Sequence, residues 1–150
     1  MGNIKILLLF ISLAGVFSTC KKYPDGPLIS FLSKQKRVRG EWQVESFTVN
    51  GVDSTTQLSC DYYMFGPSSG DERQYVALGC STGGSINGVW NFTDNKKDLT
   101  IYGNPSSNLG KTPFVTFSSL DWEIQRLTDK QMWLKINYNG KEYYTKFKKM

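Results

Sequence analysis

The chain has 150 residues, a length that fits one globular domain and excludes a large multidomain protein. Hydrophobic residues make up 39% of it and charged residues 21%, which excludes a disordered polypeptide. Aromatic residues at 14% and 14 glycines favour a β-rich domain with many turns. The sequence contains no histidine, the commonest general base and metal ligand, and its net charge of +5 is too small to indicate a nucleic-acid partner. We expect a protein that is not an enzyme and holds no cofactor and no metal.

An apolar segment begins after Lys5 and runs to Phe17, interrupted only by Ser12 and Gly15. Its twelve residues, ten of them apolar, are too few for a permanent membrane-spanning helix, which needs about 20. A short apolar segment behind a basic residue is typical of a cleaved export signal. Cys20 lies three positions after the end of this segment, at the point where processing would occur.

The segment that ends in Phe17-Ser18-Thr19-Cys20 resembles the signal of bacterial lipoproteins, although that family usually has Leu, and Gly or Ala, where Phe17 and Thr19 stand. In that family the cysteine is acylated and becomes the new N-terminus, and two or three acyl chains give lasting membrane attachment. The resemblance implies a signal peptide over residues 1–19 and lipid attachment at Cys20. It also implies a Gram-negative outer membrane and a periplasm-facing domain. The alternative is a signal peptide cleaved elsewhere, with Cys20 left as a thiol.

Polar residues over 20–27 predict a tether that connects the lipid to a domain over 28–150. Residues 28–38 carry apolar side chains at a spacing compatible with one short helix, which would cover one end of a barrel. Basic residues cluster near both ends of the domain: Lys34, Lys36, Arg37, Arg39, Lys141, Lys146, Lys148 and Lys149. If the termini lie close together, one end of the domain is basic, either as a solvated rim or as a surface attracted to anionic lipid headgroups.

Beyond Gly40 apolar and polar residues alternate with period two, which is typical of β-strands. The pattern is clearest near the end, where Asn139-Gly140 also predicts a type I′ turn. It predicts strands over 41–50, 57–65, 73–80, 85–93, 98–103, 114–127 with a break near 118–119, 131–138 and 141–148. Eight consecutive strands joined by turns predict an all-β, antiparallel, up-and-down barrel, whose interior is either filled or holds one small ligand.

Cys60 and Cys80 flank the turn-like segment 66–71 and are expected to face each other across a hairpin. In an exported protein this pair predicts a disulfide. The alternative is two buried free thiols. A catalytic cysteine is not expected, because no histidine exists to activate it.

Gly40-Glu41-Trp42 stands between the candidate helix and the first predicted strand. Together with the eight strands that follow, it resembles the Gly-x-Trp signature of the lipocalins, and in particular the small lipocalin-like lipoproteins of Gram-negative bacteria. The resemblance implies that Gly40 permits a tight entry into the first strand and that Trp42 closes the barrel floor. A basic side chain of the last strand would stack on Trp42, here Lys146 or Lys148 in place of the usual Arg.

Trp90, Trp122, Tyr138 and Tyr143 are the candidate ligand-binding residues. They would either line a cavity for a hydrophobic ligand or fill the interior as core. We therefore expect a lipid-anchored envelope protein whose barrel binds a small hydrophobic molecule. The alternative is a structural or protein-interaction lipoprotein with a filled barrel and an unknown protein partner.

Overall fold

The computed structural model describes residue 23 and residues 31–66, 74–80, 86–93, 97–104, 114 and 120–150. Within them one helix, α1 (Lys34–Val38), precedes nine strands and a 3₁₀ turn, Thr55–Gln57. The strands are β1 (Gly40–Val49), β2 (Val52–Asp53), β3 (Cys60–Phe65), β4 (Gln74–Cys80), β5 (Ile86–Thr93), β6 (Asp98–Asn104), β7 (Leu120–Leu127), β8 (Gln131–Tyr138) and β9 (Lys141–Lys149).

The predicted helix is shorter than its apolar spacing suggested. Helix α1 begins after Ser33, whose side-chain oxygen accepts a hydrogen bond from the Lys36 amide and caps the first turn. Phe31 and Leu32 therefore precede the helix, and both are exposed. The prediction that they belong to the helix is wrong. Val38 is the apolar residue of α1 that is buried. Residues 28–30 lie outside the described residues.

All strand pairings are antiparallel, and consecutive strands from β3 to β9 are neighbours in the sheet. Strand β1 pairs with β3 on one side and with β9 on the other. The order of hydrogen-bonded neighbours therefore returns to β1. The predicted all-β, antiparallel, up-and-down arrangement of strands is confirmed. The short strand β2, which pairs with the end of β1, is an addition.

The strand boundaries differ from the predicted ones by more than one residue at two places. The strand predicted over 57–65 begins at Cys60, because the preceding residues form the 3₁₀ turn, where the Asp53 carboxylate accepts hydrogen bonds from the amide and hydroxyl of Thr55. The strand predicted over 114–127 begins at Leu120. Residues 115–119, with the expected break, lie outside the described residues.

Two β-bulges keep apolar side chains on the interior face of the sheet. The register shifts between Val44 and Ser46 in β1, and between Ile124 and Arg126 in β7. An extra residue reverses the alternation of inward and outward side chains. Val44 and Phe47, three residues apart, are therefore both buried, whereas strict alternation would turn Phe47 outward.

The sheet has two distinct ends. Helix α1, the start of β1 and the end of β9 form what we call the α1 end. The opposite end carries the β1–β2 and β8–β9 hairpins and the predicted disulfide, which is confirmed: Cys60 and Cys80 are opposite each other in β3 and β4 and bonded. The predicted turn at Asn139-Gly140 is also confirmed, because its φ angles of 50° and 71° are those that a type I′ turn requires.

The ring of Phe114 lies at the centre of an aromatic core beside the α1 end. Its centroid is 5.3 Å from that of Tyr63, 6.4 Å from Phe65, 5.5 Å from Trp122 and 5.7 Å from Phe147. The first three contacts are edge-to-face, a geometry that contributes roughly 0.5–1.5 kcal/mol per pair beyond area burial. The interior beside the α1 end is therefore filled by side chains.

We expect Phe114→Ala to lower the free energy of unfolding by about 3–5 kcal/mol, because it removes a buried ring and leaves a cavity. Urea unfolding followed by tryptophan fluorescence measures this. The matched control is Phe31→Ala, at a fully exposed side chain, which should stay within about 0.5 kcal/mol of the unsubstituted protein. Equal effects of the two substitutions would contradict the central position of Phe114.

Candidate functional site

Trp42 is fully buried at the α1 end, where its indole N–H donates a hydrogen bond of 2.8 Å to the carbonyl of Val38. The ammonium nitrogen of Lys149 lies 5.0 Å from the centre of its ring. The prediction that Lys146 or Lys148 stacks on Trp42 is wrong, because Lys149 occupies that position. In the register of β1 and β9, Lys149 is opposite Trp42, Lys148 is one residue away and exposed, and Lys146 points to the outer face of the sheet.

Gly40 makes room for this lysine. Its φ of +121° is in a region that L side chains rarely adopt, and a Cβ there would lie 2.6 Å from Cε of Lys149. The Lys149 ammonium donates hydrogen bonds to the carbonyls of Arg37 and Arg39, which connects the end of α1 to β9. Burial lowers the pKa of this ammonium, and the Asp129 carboxylate partly opposes that effect.

Tyr23 is packed against α1, although it falls within the predicted tether 20–27. Only 4% of its surface is exposed, and the Lys34 ammonium lies 4.7 Å from its ring centre. Burial raises the pKa of Tyr23 to about 12, with the nearby Arg37 guanidinium opposing the rise. Tyr23 is therefore part of the folded domain. The rest of the predicted tether, including Cys20, lies outside the described residues.

Trp90 and Trp122 are both buried, as an interior position requires. Trp90 makes edge-to-face contacts with Phe65 and Phe92, and Trp122 makes one with Phe114. These two candidate ligand-binding residues are therefore surrounded by other rings in the filled part of the interior.

Tyr138 and Tyr143, the other two candidates, are half-buried towards the opposite end. Tyr143 stacks on Phe47 with 6.2 Å between ring centres. It is flanked in the sheet by Val49 and Ile136, which are also half-buried. We call Val49, Tyr143 and Ile136 the Tyr143 row. The structure thus divides the four candidates between two regions.

Thr145 was not among the predicted site residues, yet it has the least satisfied side chain in this part of the interior. It lies next to the Tyr143 row, flanked by Phe47 and Leu134, and is completely buried. Its hydroxyl has no hydrogen-bond partner among the described residues. Leaving a buried hydroxyl unpaired costs about 1–3 kcal/mol. The signal in the sequence is a threonine, Thr145, between Tyr143 and Phe147 on the inward face of β9.

A second aromatic cluster lies on the outer face of the sheet. The Trp133 ring is 5.0 Å from the Arg126 guanidinium and 4.7 Å from the Lys146 ammonium. Both cations cover a partly exposed indole, which is a stabilising arrangement at a surface. Within the described ranges, no three His, Cys, Asp or Glu residues are grouped to hold a metal ion, and no helix is long and apolar enough to cross a membrane.

No family model matches the sequence, and no curated protein matches it. Among solved structures, the chain is similar to the crystal structure of a lipocalin-like protein from Bacteroides uniformis ATCC 8492. The two share 16% sequence identity, with a TM-score of 0.49, over 76% of this chain and 99% of that one. The antiparallel arrangement described above follows from the strand pairings themselves.

We expect Lys149→Met to lower the free energy of unfolding by about 1.5–3 kcal/mol, because it keeps an apolar stem over Trp42 but removes the charged donor to two carbonyls. Urea unfolding measures the loss. Lys148→Met, at the exposed neighbour, is the matched control and should change stability by less than about 0.5 kcal/mol. A larger loss for Lys148→Met would contradict the observed register.

The pKa of Tyr23 predicts an alkaline loss of stability. Folded Tyr23 keeps its proton up to about pH 12, whereas in the unfolded chain it loses the proton near 10.0, so its contribution to the free energy of unfolding falls as pH rises between these values. Urea unfolding at neutral pH and within this window measures the fall. Tyr23→Phe should reduce it, and Tyr102→Phe, at an exposed tyrosine, should not. The same alkaline fall in all three proteins would refute this.

Proposed function

We propose that this protein is a lipid-anchored, non-enzymatic component of a bacterial cell envelope that binds a small hydrophobic molecule at the end of its interior opposite α1. The observation that carries the proposal is the unpaired, completely buried hydroxyl of Thr145 beside half-buried apolar side chains. An apolar wall with one polar group at its base is a common design for binding small hydrophobic ligands.

The side chains indicate the chemistry of the ligand. The Tyr143 row and Phe47 offer aliphatic and aromatic contacts, which suit an apolar body. The Thr145 hydroxyl can donate or accept one hydrogen bond, so it suits a single hydroxyl, carbonyl or ether oxygen at the inner end of the ligand. A ligand with a charge at that end would be excluded, because no described neighbour of Thr145 in the sheet, Phe47 or Leu134, can neutralise it.

The anchor is supported by the sequence of the N-terminal segment. The apolar segment after Lys5 ends at Phe17, three residues before Cys20, which we propose as the acylated residue after removal of residues 1–19. We further propose that the acyl chains hold the protein at the outer membrane with the domain in the periplasm. The burial of Tyr23 agrees with this arrangement, because it leaves few residues between the lipid and the folded domain.

A second function is favoured by the contacts of Phe114. Its ring touches four other aromatic rings and fills the interior beside α1. If side chains also fill the region above Thr145, the domain is an interaction module that binds a protein partner through its surface. The two functions differ in whether the protein carries a ligand.

The test is native mass spectrometry of the mature protein purified gently from membranes. We expect an added acyl mass on Cys20 and a separate, non-covalent mass that identifies the ligand class. Cys20→Ala should move the protein to the soluble fraction. Its continued sedimentation with membranes would contradict the anchor, while an empty protein that also fails to bind a hydrophobic dye would favour the filled interaction module.

Thr145→Val separates a ligand contact from simple packing. The substitution keeps the volume and removes the unpaired hydroxyl, so it should stabilise the empty protein and yet weaken ligand binding about fivefold, the value of one ordinary hydrogen bond. The matched control is Thr48→Val, at a position that faces away from the interior beside Tyr144. Unchanged affinity in Thr145→Val would remove Thr145 from the site.

A further inference from the structure

The α1 end gathers positive charge from both ends of the described chain. Lys149 contacts Arg37 and Arg39 directly, so the two basic segments of the sequence lie side by side. The described basic residues at this end are Lys34, Lys36, Arg37, Arg39, Lys130, Lys148 and Lys149. Glu41 and Asp129 are among the described acidic residues beside them. An excess of cations on one face attracts an anionic surface.

The same end exposes apolar side chains. Phe31, two residues before the cap of α1, is 100% exposed, and its neighbour Leu32 is 45% exposed. Met150 is 71% exposed and is held beside β1 by a hydrogen bond from its amide to the carbonyl of Glu41. Exposed apolar side chains among lysines and arginines are typical of surfaces that insert shallowly into a lipid bilayer.

Tyr23 limits how far this end can be from the lipid anchor. Tyr23 is three positions after Cys20 in the sequence, and an extended chain of that length spans at most about 11 Å. Because Tyr23 is buried against α1, an acylated Cys20 would hold the α1 end within that distance of the membrane. The opposite end of the sheet, with the Tyr143 row, would face away from the bilayer.

We propose that the α1 end is a membrane-contact surface that seats Phe31 in the interface of a bilayer containing anionic phospholipid. The apolar ring enters the headgroup region, and the exposed Lys36, Lys130 and Lys148 pair with lipid phosphates. This inference rests on the proposed lipid anchor for its geometry, while the charge and the exposed ring are observed directly. It leaves the Tyr143 row open to the aqueous side for ligand exchange.

The experiment places a fluorescent label on the mature protein purified from cells. Phe31→Cys provides the thiol for an NBD fluorophore, since Cys60 and Cys80 are joined and an acylated Cys20 has no free thiol. Val52→Cys, exposed in the hairpin at the opposite end, is the matched control. Each protein is reconstituted into vesicles of phosphatidylcholine with or without phosphatidylglycerol, carrying a doxyl-labelled lipid as quencher.

We expect the label at position 31 to shift its emission to the blue and to be quenched in vesicles with phosphatidylglycerol. Both effects should weaken in phosphatidylcholine alone and in high salt, because screening removes the attraction between charges. The label at position 52 should keep its emission in water under all conditions. Water-like emission at position 31, or equal quenching at both positions, would overturn the proposal.

The experiment distinguishes failure of the lipid anchor from failure of the membrane-contact surface. The intact mass of each preparation reports whether Cys20 carries acyl chains. If it carries none, the proposed anchor fails, and the labelled proteins are made with Cys20→Ser and added to preformed vesicles of the same compositions. Quenching of the label at position 31 that depends on phosphatidylglycerol then supports the surface alone, and its absence overturns it.

Discussion

The structure depends on the double pairing of β1, which hydrogen-bonds to β3 along one side and to β9 along the other. This pairing satisfies the backbone groups on both sides of the strand and joins the start of the sheet to its last strand. It places Trp42 opposite Lys149 at one end and Phe47 opposite Thr145 farther along the same two strands. The contacts around Trp42 and the candidate binding region beside Thr145 therefore both depend on the register between β1 and β9.

The interior has two parts with different properties. Beside α1, aromatic rings such as Phe114 and Phe147 pack directly against one another. Towards the other end, Phe47 and Tyr143 stack above a hydroxyl that no described group satisfies. A well-packed region can hold a less satisfied neighbouring region in place, and an unsatisfied buried group in a folded protein calls for an explanation such as a bound ligand, a water or stored strain.

The sequence predicts most of the strands because the apolar residues of each strand recur at every second position. In β8, Met132 and Leu134 are buried as this pattern requires. The turn at Asn139-Gly140 is predictable from its residue types, since both adopt positive φ. The disulfide is predictable because two cysteines flank one turn-like segment and can meet across a hairpin.

The details of the site are not predictable from alternation, because they depend on register and on contacts between distant segments. A shift of one residue moves a side chain to the other face of a strand, which is why Lys149, and neither Lys146 nor Lys148, lies over Trp42. Phe114 lies outside the observed strands and Tyr23 before them, so their burial comes from tertiary contacts. The lack of a partner for Thr145 is visible only when its neighbours are placed.

The pairing of β1 with β9 also determines how the chain can reach its native state. The hairpins from β3 to β9 join neighbours in the sequence, but contacts such as Asn50 with Glu142 join residues 92 positions apart. Closing so long a loop has an entropic cost that local pairing does not have, and chains rich in such contacts fold slowly. Folding would therefore assemble the hairpins first and close the ring last. Until β1 pairs with β9, each of these strands has an unpaired edge. During this stage the chain is most prone to form strand pairs with other molecules.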